Sequence, residues 1–151
     1  MAVEVQVDVG GWADAPALGD GAGLAPLLAR AVRAVLADHG VEDAEISVAV
    51  LDDAAIAALN RRYLGHEGPT DVISFELGAA GGVTVGDIYI GGGQALRQAA
   101  EFGAAPREEL VRLAVHGALH VLGYDHPEGE EREGSEMWQR QEAILREVLA
   151  S

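Results

Sequence analysis

The sequence contains no cysteine and no lysine, so all ten of its basic residues are arginine. Without cysteine the chain has no disulfide framework, no Cys-ligated metal site and no thiol nucleophile. No apolar run approaches the roughly 20 residues that span a membrane, and residues 1–4 lack the basic start and apolar stretch of a signal peptide. We therefore expect a protein of the cytoplasm that does not bind a membrane.

The charge of the chain is strongly one-sided. Twenty-five acidic and ten basic residues give a formal net charge of -15. An acidic chain repels polyanions at long range, which taken alone argues against a nucleic-acid partner. The guanidinium group of arginine nevertheless binds phosphate better than the ammonium group of lysine does. The use of arginine in place of lysine could, however, equally reflect genome composition. Charge alone therefore does not decide the class of partner.

Length and periodicity predict one folded domain, residues 1–151. A chain of 151 residues with 49% hydrophobic residues has enough apolar surface for a core. Apolar spacing and turn residues predict the order β-α-β-α-β-β-α-α-α. The expected strands are 3–9, 45–51, 70–77 and 83–90, and the expected helices are 24–38, 53–63, 94–102, 106–122 and 130–149. This order indicates an α+β fold with one mixed four-stranded sheet, one antiparallel hairpin and about five helices.

The last expected strand changes its apolar parity along its length. Val85 and Ile88 are three residues apart, so a regular strand would place them on opposite faces. A β-bulge near Gly86–Asp87 would explain the change, and it would also turn Asp87 toward a site. A plain turn role for Asp87 is the alternative.

Residues 109–122 predict a central buried helix, because they are apolar nearly all round. One narrow strip of the helix surface, which we call the polar wedge, carries the four polar residues of this range: Glu109, Arg112, His116 and His120. Because His116 and His120 are four residues apart, both imidazoles can reach one point in space.

A third histidine follows the end of this helix. Gly123 is expected to end the helix in a left-handed turn. His126 precedes a proline, which restricts it to an extended conformation. The chain can thus fold back and direct a third imidazole at the same point as His116 and His120.

Three neutral imidazoles suit zinc, although nickel and copper also accept this ligand. Three protein ligands leave a fourth position for water, whose pKa zinc lowers to about 7. We therefore expect one zinc ion per chain on His116, His120 and His126, with zinc-bound water as the reactive group. The alternative, an ordinary buried histidine pair, does not account for the third histidine. A peptidase of the H-E-x-x-H type is disfavoured because Gly117 replaces the glutamate that serves as its general base.

Several motifs carry a resemblance to a known family. They are H-G-A-L-H-V-L-G-Y-D-H at His116–His126, Asn60 followed by P-T-D-V-I-S-F at Pro69–Phe75, Gly86-Asp87-Ile88, and a final helix with Met137, Glu142, Ile144 and Leu145. Across residues 44–149 the sequence resembles the YbeY family of bacterial metal-dependent endoribonucleases, which are rRNA maturation factors.

The resemblance implies zinc on His116, His120 and His126, and an α+β fold with a four-stranded sheet. It also implies hydrolysis of single-stranded RNA, maturation of the 3′ end of small-subunit ribosomal RNA, and a role with the small ribosomal subunit in quality control. The sequence departs from the family at Leu64, where many members have an arginine. Arg61 and Arg62 lie just upstream of this position.

The remaining candidate residues each have a functional and a structural interpretation. Asp125 either orients an imidazole or bonds to the local backbone in a turn. Arg112 either binds phosphate or forms an ion pair with Glu109 at i, i+3. Weaker candidates for substrate binding, for which structural roles are equally open, are Arg61, Arg62, His66, Thr70 and Ser74.

Three functions remain open from the sequence. The first is a zinc endoribonuclease, in which zinc-bound water or a ribose 2′-OH attacks a phosphodiester. The second is a ribosome-associated factor that binds RNA or protein with little catalysis, its zinc being mainly structural. Leu64 and the negative charge favour this second function. The third is a hydrolase for a small molecule or a peptide.

Overall fold

The structure is a computed structural model, and it describes residues 2–14, 21–78, 80–124 and 136–150. The strands are β1 (Val3–Gly11), β2 (Ala44–Leu51), β3 (Val72–Gly78) and β4 (Thr84–Gly91), and the helices are α1 (Gly21–Asp38), α2 (Asp53–Leu59), α3 (Gly92–Phe102), α4 (Pro106–Val121) and α5 (Glu136–Ala150). The order and the α+β class confirm the prediction. After α2 the chain continues as one π-helical turn, Asn60–Leu64. No helix in these described ranges is both long and apolar enough to cross a membrane.

The four strands form one mixed sheet in the order β1-β2-β4-β3. β1 pairs parallel with β2 and β2 pairs parallel with β4, whereas β3 and β4 form the antiparallel hairpin that the sequence predicted. In β1 the valines are half-buried and the polar residues between them are exposed. This alternation is expected for a strand with one face toward the core and one toward solvent.

The bulge expected near Gly86–Asp87 is absent from β4, so that prediction is wrong. β4 keeps a regular register with β2 along its whole length, and the irregularity lies in the partner strand, between Glu76 and Gly78. β4 needs no bulge because it is apolar on both faces. Residues 86, 88 and 90 face the core, and Val85 lies on the opposite face. Asp87 shares that opposite face, so it does not point toward α4.

Helix α4 lies at the centre of the fold and packs against α1, α3, α5, β3 and β4. Pro106 stands at its first turn, where the missing N–H costs no hydrogen bond. Its buried residues are Glu109, Leu110, Val111, Leu113, Ala114, Val115, Gly117, Ala118, Leu119 and Val121. The predicted central buried helix is therefore confirmed.

Two glycines let α4 lie directly on β4. A Cβ atom at Gly117 would lie 2.7 Å from Cγ2 of Ile88, and a Cβ atom at Gly86 would lie 2.6 Å from Cγ1 of Val121. Both distances are well below the separation of carbon atoms in contact, which is about 3.5–4.0 Å. Residue 117 therefore has no room for a side chain, which gives a packing reason for glycine where the peptidase motif has glutamate.

We expect Gly117→Ala to lower the free energy of unfolding by about 1–2 kcal/mol, because the new methyl group overpacks the contact with Ile88. Helix propensity alone predicts the opposite sign, since alanine is about 0.8–1.0 kcal/mol better than glycine inside a helix. Urea denaturation of Gly117→Ala in the native and Ile88→Ala backgrounds measures both contributions. Stabilisation in the native background would contradict the close packing, and the destabilisation should disappear in the Ile88→Ala background.

The sheet face opposite α4 carries an aromatic cluster at its β3 edge. The ring of Phe75 meets those of Tyr63 and Tyr89 edge-on, with centroids 5.5 and 6.0 Å apart. The hydroxyl of Tyr89 donates to Oδ2 of Asp87 over 3.4 Å. Burial, the negative charge of Asp87 and this hydrogen bond together raise the pKa of Tyr89 above its usual value of 10.0.

We expect Asp87→Asn to lower the pKa of Tyr89, because the substitution removes the charge that disfavours the phenolate. Since the pKa of Tyr89 is raised in the folded state, its contribution to stability is complete below pH 10 and is lost as the pH rises through the folded-state pKa. Titration of the Tyr89 ring carbons by NMR, in the native chain and in Asp87→Asn, measures the difference. An equal or higher pKa in the variant would show that Asp87 does not raise the pKa of Tyr89.

Candidate metal centre

Helix α4 brings two of the three predicted ligands together. The Nε2 atoms of His116 and His120 lie 3.1 Å apart. The two rings are edge-to-face, with centroids 4.6 Å apart and an angle of 72° between their planes. Both residues are half-buried.

The spacing of these two nitrogens fits a shared metal ion. Two nitrogens at about 2.0–2.1 Å from a tetrahedral zinc lie about 3.3 Å from each other. The same distance suits a hydrogen bond between the two imidazoles in the metal-free protein. No group of three His, Asp or Glu side chains suited to a metal is found among the residues that the structure covers. The third predicted ligand, His126, and its neighbour Asp125 lie outside the described residues.

The chain leaves α4 through a left-handed turn, as the sequence predicted. Gly123 has a φ of +96° and donates its N–H to the carbonyl of His120 over 2.9 Å. The N–H of Tyr124 donates to the carbonyl of Leu119 over 3.1 Å. These bonds belong to the Schellman type of helix ending, which satisfies the last carbonyls of the helix and reverses the chain.

Tyr124 is fixed by a residue that the sequence analysis missed. Its hydroxyl lies 3.0 Å from Nε2 of His39, and Nδ1 of His39 lies 2.9 Å from the carbonyl oxygen of Val35. Since a carbonyl only accepts, Nδ1 of His39 donates to it, and Nε2 is left to accept from the tyrosine hydroxyl. The chain is therefore held against the end of α1 two residues before His126. His39 gave no sequence signal, because the contact joins residues 85 positions apart.

A second missed residue, Gln141 of α5, touches His116 directly. Its Oε1 lies 2.7 Å from Nδ1 of His116, and its Nε2 donates to Oε2 of Glu142 over 3.1 Å. Gln141 is only 2% exposed. A buried polar side chain of this kind requires partners, and here the partner is the ring that carries a predicted metal ligand.

Arg112 is engaged by three carboxylates. Its guanidinium donates to Glu109 over 2.7 Å, to both oxygens of Glu142 over 3.0 and 3.2 Å, and to Glu108 over 3.3 Å. Burial on its own would lower the pKa of Arg112, but the hydrogen bonds to Glu142 and Glu109 outweigh it and raise the pKa. Of the two roles that the sequence left open, the structure contains the ion pair with Glu109.

A cleft of about 500 Å³ opens beside His116. The described residues that line it include four carboxylates, two aromatic side chains and one guanidinium, from Asp71, Glu108, Glu109, Glu142, Phe102, Trp138 and Arg112. An excess of carboxylates favours a cation in the cleft and disfavours phosphate.

None of the weaker substrate-binding candidates is among the described residues that line this cleft. Arg61, Arg62 and His66 are exposed on the π-helical turn and the loop after it, and Leu64 is 49% exposed. Thr70 and Ser74 are half-buried at and within β3. Ser74 pairs with Ile88, so it shares the face of the sheet that α4 covers. The structure thus joins His116 to His120 directly and to Arg112 through Gln141 and Glu142, and the substrate-binding role of the five weaker candidates stays a prediction.

The fold and the site define an α+β protein whose central helix carries two adjacent histidines, one of which, His116, lines an acidic cleft. Residues 21–149 match the sequence model of the family described as Endoribonuclease YbeY. The chain therefore belongs to the YbeY family, as the motifs had indicated.

Individual relatives cover most of the chain. It is 47% identical to Endoribonuclease YbeY of Pelotomaculum thermopropionicum over 117 residues, which are 72% of this chain and 77% of the relative. It is 39% identical to Endoribonuclease YbeY of Chloroflexus aurantiacus over 95% of this chain and 92% of the relative. A solution structure of a Thermotoga maritima protein superposes with a TM-score of 0.62 at 26% identity, covering 97% of this chain and 89% of the other.

We expect Arg112→Leu to lower the free energy of unfolding by on the order of 3 kcal/mol, because it leaves the carboxylate of Glu109, 4% exposed, without its cation. Arg97→Leu is the matched control. Arg97 pairs with Asp53, and both side chains are about half exposed, so the loss there should stay below about 1 kcal/mol. Urea denaturation of both variants measures the contrast. Equal losses would show that the Arg112 cluster is not structural.

Proposed function

We propose that this chain is a zinc-dependent endoribonuclease that cleaves single-stranded RNA. The observation that carries the proposal is the convergence of His116 and His120, with Nε2 atoms 3.1 Å apart, beside a cleft in a chain of the YbeY family. His116, His120 and His126 would hold the ion, and Asp125 would orient one of the imidazoles. When bound, zinc supplies a Lewis acid that activates water and stabilises negative charge on a phosphate.

The charge of the cleft supports a cation at this place. The carboxylates that line it, Asp71, Glu108, Glu109 and Glu142, face only one guanidinium among the described lining residues, and that guanidinium is already paired. A divalent ion would lower the repulsion between this surface and an RNA phosphate. Arg112 is not free to bind phosphate, so its role in the proposal is to hold Glu109 and Glu142 in place.

The biological substrate that we propose is ribosomal RNA. The curated relatives carry the name Endoribonuclease YbeY, and the sequence motifs resemble a family of rRNA maturation factors. The chain would act in the cytoplasm, with the small ribosomal subunit as its partner, in maturing the 3′ end of the small-subunit RNA. The second candidate is a ribosome-associated binding factor with a structural zinc. The acidic cleft and the exposed Leu64 favour this alternative, because both weaken phosphate binding.

We expect the purified chain to contain one zinc ion and His116→Ala, His120→Ala and His126→Ala to lose it. The physical reason is that an imidazole removed from a three-ligand site is not replaced by another strong ligand. Elemental analysis by mass spectrometry measures the metal, and His66→Ala, whose imidazole is exposed outside the cleft, is the matched control for metal content.

Cleavage of a labelled single-stranded RNA, with the corresponding duplex as a control, tests the activity. The native chain should cut the single strand, and His120→Ala should fall to the level measured without protein. Equal cleavage by both proteins would indicate a contaminant and remove the enzyme proposal. Stoichiometric zinc without any cleavage, in the presence or absence of small ribosomal subunits, would favour the binding factor.

A further inference from the structure

A continuous line of hydrogen bonds runs from Arg112 to the imidazole of His116 through two neighbouring residues of α5. Arg112 donates to both carboxylate oxygens of Glu142 over 3.0 and 3.2 Å. Gln141 donates to Glu142 over 3.1 Å, and Oε1 of Gln141 lies 2.7 Å from Nδ1 of His116. Four side chains from two helices are thus joined in one chain that ends at a predicted metal ligand.

The chemistry of these groups gives the line one direction. Arginine only donates and an ionised carboxylate only accepts, so Glu142 must receive hydrogen bonds from both of its neighbours. The amide of Gln141 can satisfy Glu142 only with its NH2 group, which leaves its carbonyl oxygen toward His116. Because that oxygen only accepts, Nδ1 of His116 must carry the proton. The assignment of the proton to Nδ1 of His116 follows from the fixed roles of Arg112 as donor and Glu142 as acceptor. It does not require the orientation of the Gln141 amide to be known beforehand.

Burial keeps water away from these side chains. Water therefore cannot replace one of the hydrogen bonds and allow the donor and acceptor roles to reverse. Gln141 is 2% exposed, and the side chains of Arg112 and Glu142 are 19% and 20% exposed. Glu109, whose side chain is 4% exposed, holds Arg112 from its other side and itself accepts from Gln98 over 2.8 Å. Reversing the Gln141 amide would place its carbonyl against a carboxylate, an arrangement that costs the desolvation of both groups.

We infer that Gln141 is a positioning residue for metal binding: it holds His116 in the tautomer with the proton on Nδ1, so that Nε2 presents its lone pair beside His120. Glu142 and Arg112 act one step further away, by fixing the orientation of the Gln141 amide. The metal part of this inference rests on the proposed function. Hydrogen bonds of this kind, made by the second nitrogen of a ligating imidazole, are a general means of setting its tautomer and ring orientation.

The first experiment reads the tautomer directly in the metal-free, full-length protein. Two-bond proton–nitrogen NMR spectra of the imidazole rings show which nitrogen of His116 is protonated. We expect the Nδ1–H form in the native chain, where Oε1 of Gln141 accepts from Nδ1. Gln141→Leu removes the acceptor and should lose the preference. Glu142→Gln retains the shape of the side chain but frees the Gln141 amide to reverse. His116 should therefore lose its preference for the Nδ1–H form in this variant as well.

The second experiment measures zinc affinity by competition with a chromophoric chelator. We expect Gln141→Leu and Glu142→Gln to bind zinc about 10- to 100-fold more weakly than the native chain. Glu147→Gln, the same substitution as Glu142→Gln at an exposed position five residues later on α5, is the matched control and should leave the affinity unchanged. Circular dichroism shows whether each variant is folded. If Gln141→Leu does not fold, Glu142→Gln alone provides the test.

The two experiments separate failure of this inference from failure of the proposed function. If the native chain binds no zinc, the proposed function fails, while the spectra of the metal-free protein still decide whether Gln141 sets the tautomer. If the native chain binds zinc but His116 keeps the same tautomer and affinity in Gln141→Leu and Glu142→Gln, the inference is overturned. Loss of the tautomer together with weaker zinc binding supports both.

Discussion

The close contact between α4 and β4 is the constraint on which the rest of the structure depends. Gly86 and Gly117 remove the side chains that would otherwise separate the helix from the sheet. With α4 seated there, its buried residues complete the core, and its polar wedge is directed toward α5. The two histidines therefore occupy positions set by a helix that packs against five other elements, which limits how far their nitrogens can move apart.

The acidity of the chain has a local counterpart at the cleft. Four carboxylates are found among the described residues that line it, and three of them, Glu108, Glu109 and Glu142, pair with the guanidinium of Arg112. A site with this charge attracts cations and repels phosphates, so the RNA cleavage that we propose there would require a metal ion to offset the negative charge. One of these carboxylates, Glu142, also orients Gln141 and, through it, His116.

Much of the fold was readable from local patterns, because those patterns follow from backbone geometry. The alternation in β1 and the apolar surface of α4 were predicted and confirmed, and so was the left-handed ending at Gly123. The bulge in β4 was wrong, because a parity change was read as an extra residue where the strand is apolar on both faces. His39 and Gln141 were missed, since their contacts join residues far apart in the chain and leave no periodic signal.

Residue spacing determined that His116 and His120 share a helix face, because 3.6 residues per turn places positions i and i+4 together in any α-helix. The residue type at position 117 determined that no general base stands next to His116, because glycine replaces the glutamate of the peptidase motif. Only the packing of α5 against α4 decided that Gln141 meets one imidazole and that Glu142 captures Arg112. Such contacts depend on how two helices cross in space, and the distance along the chain between their residues carries no information about that crossing.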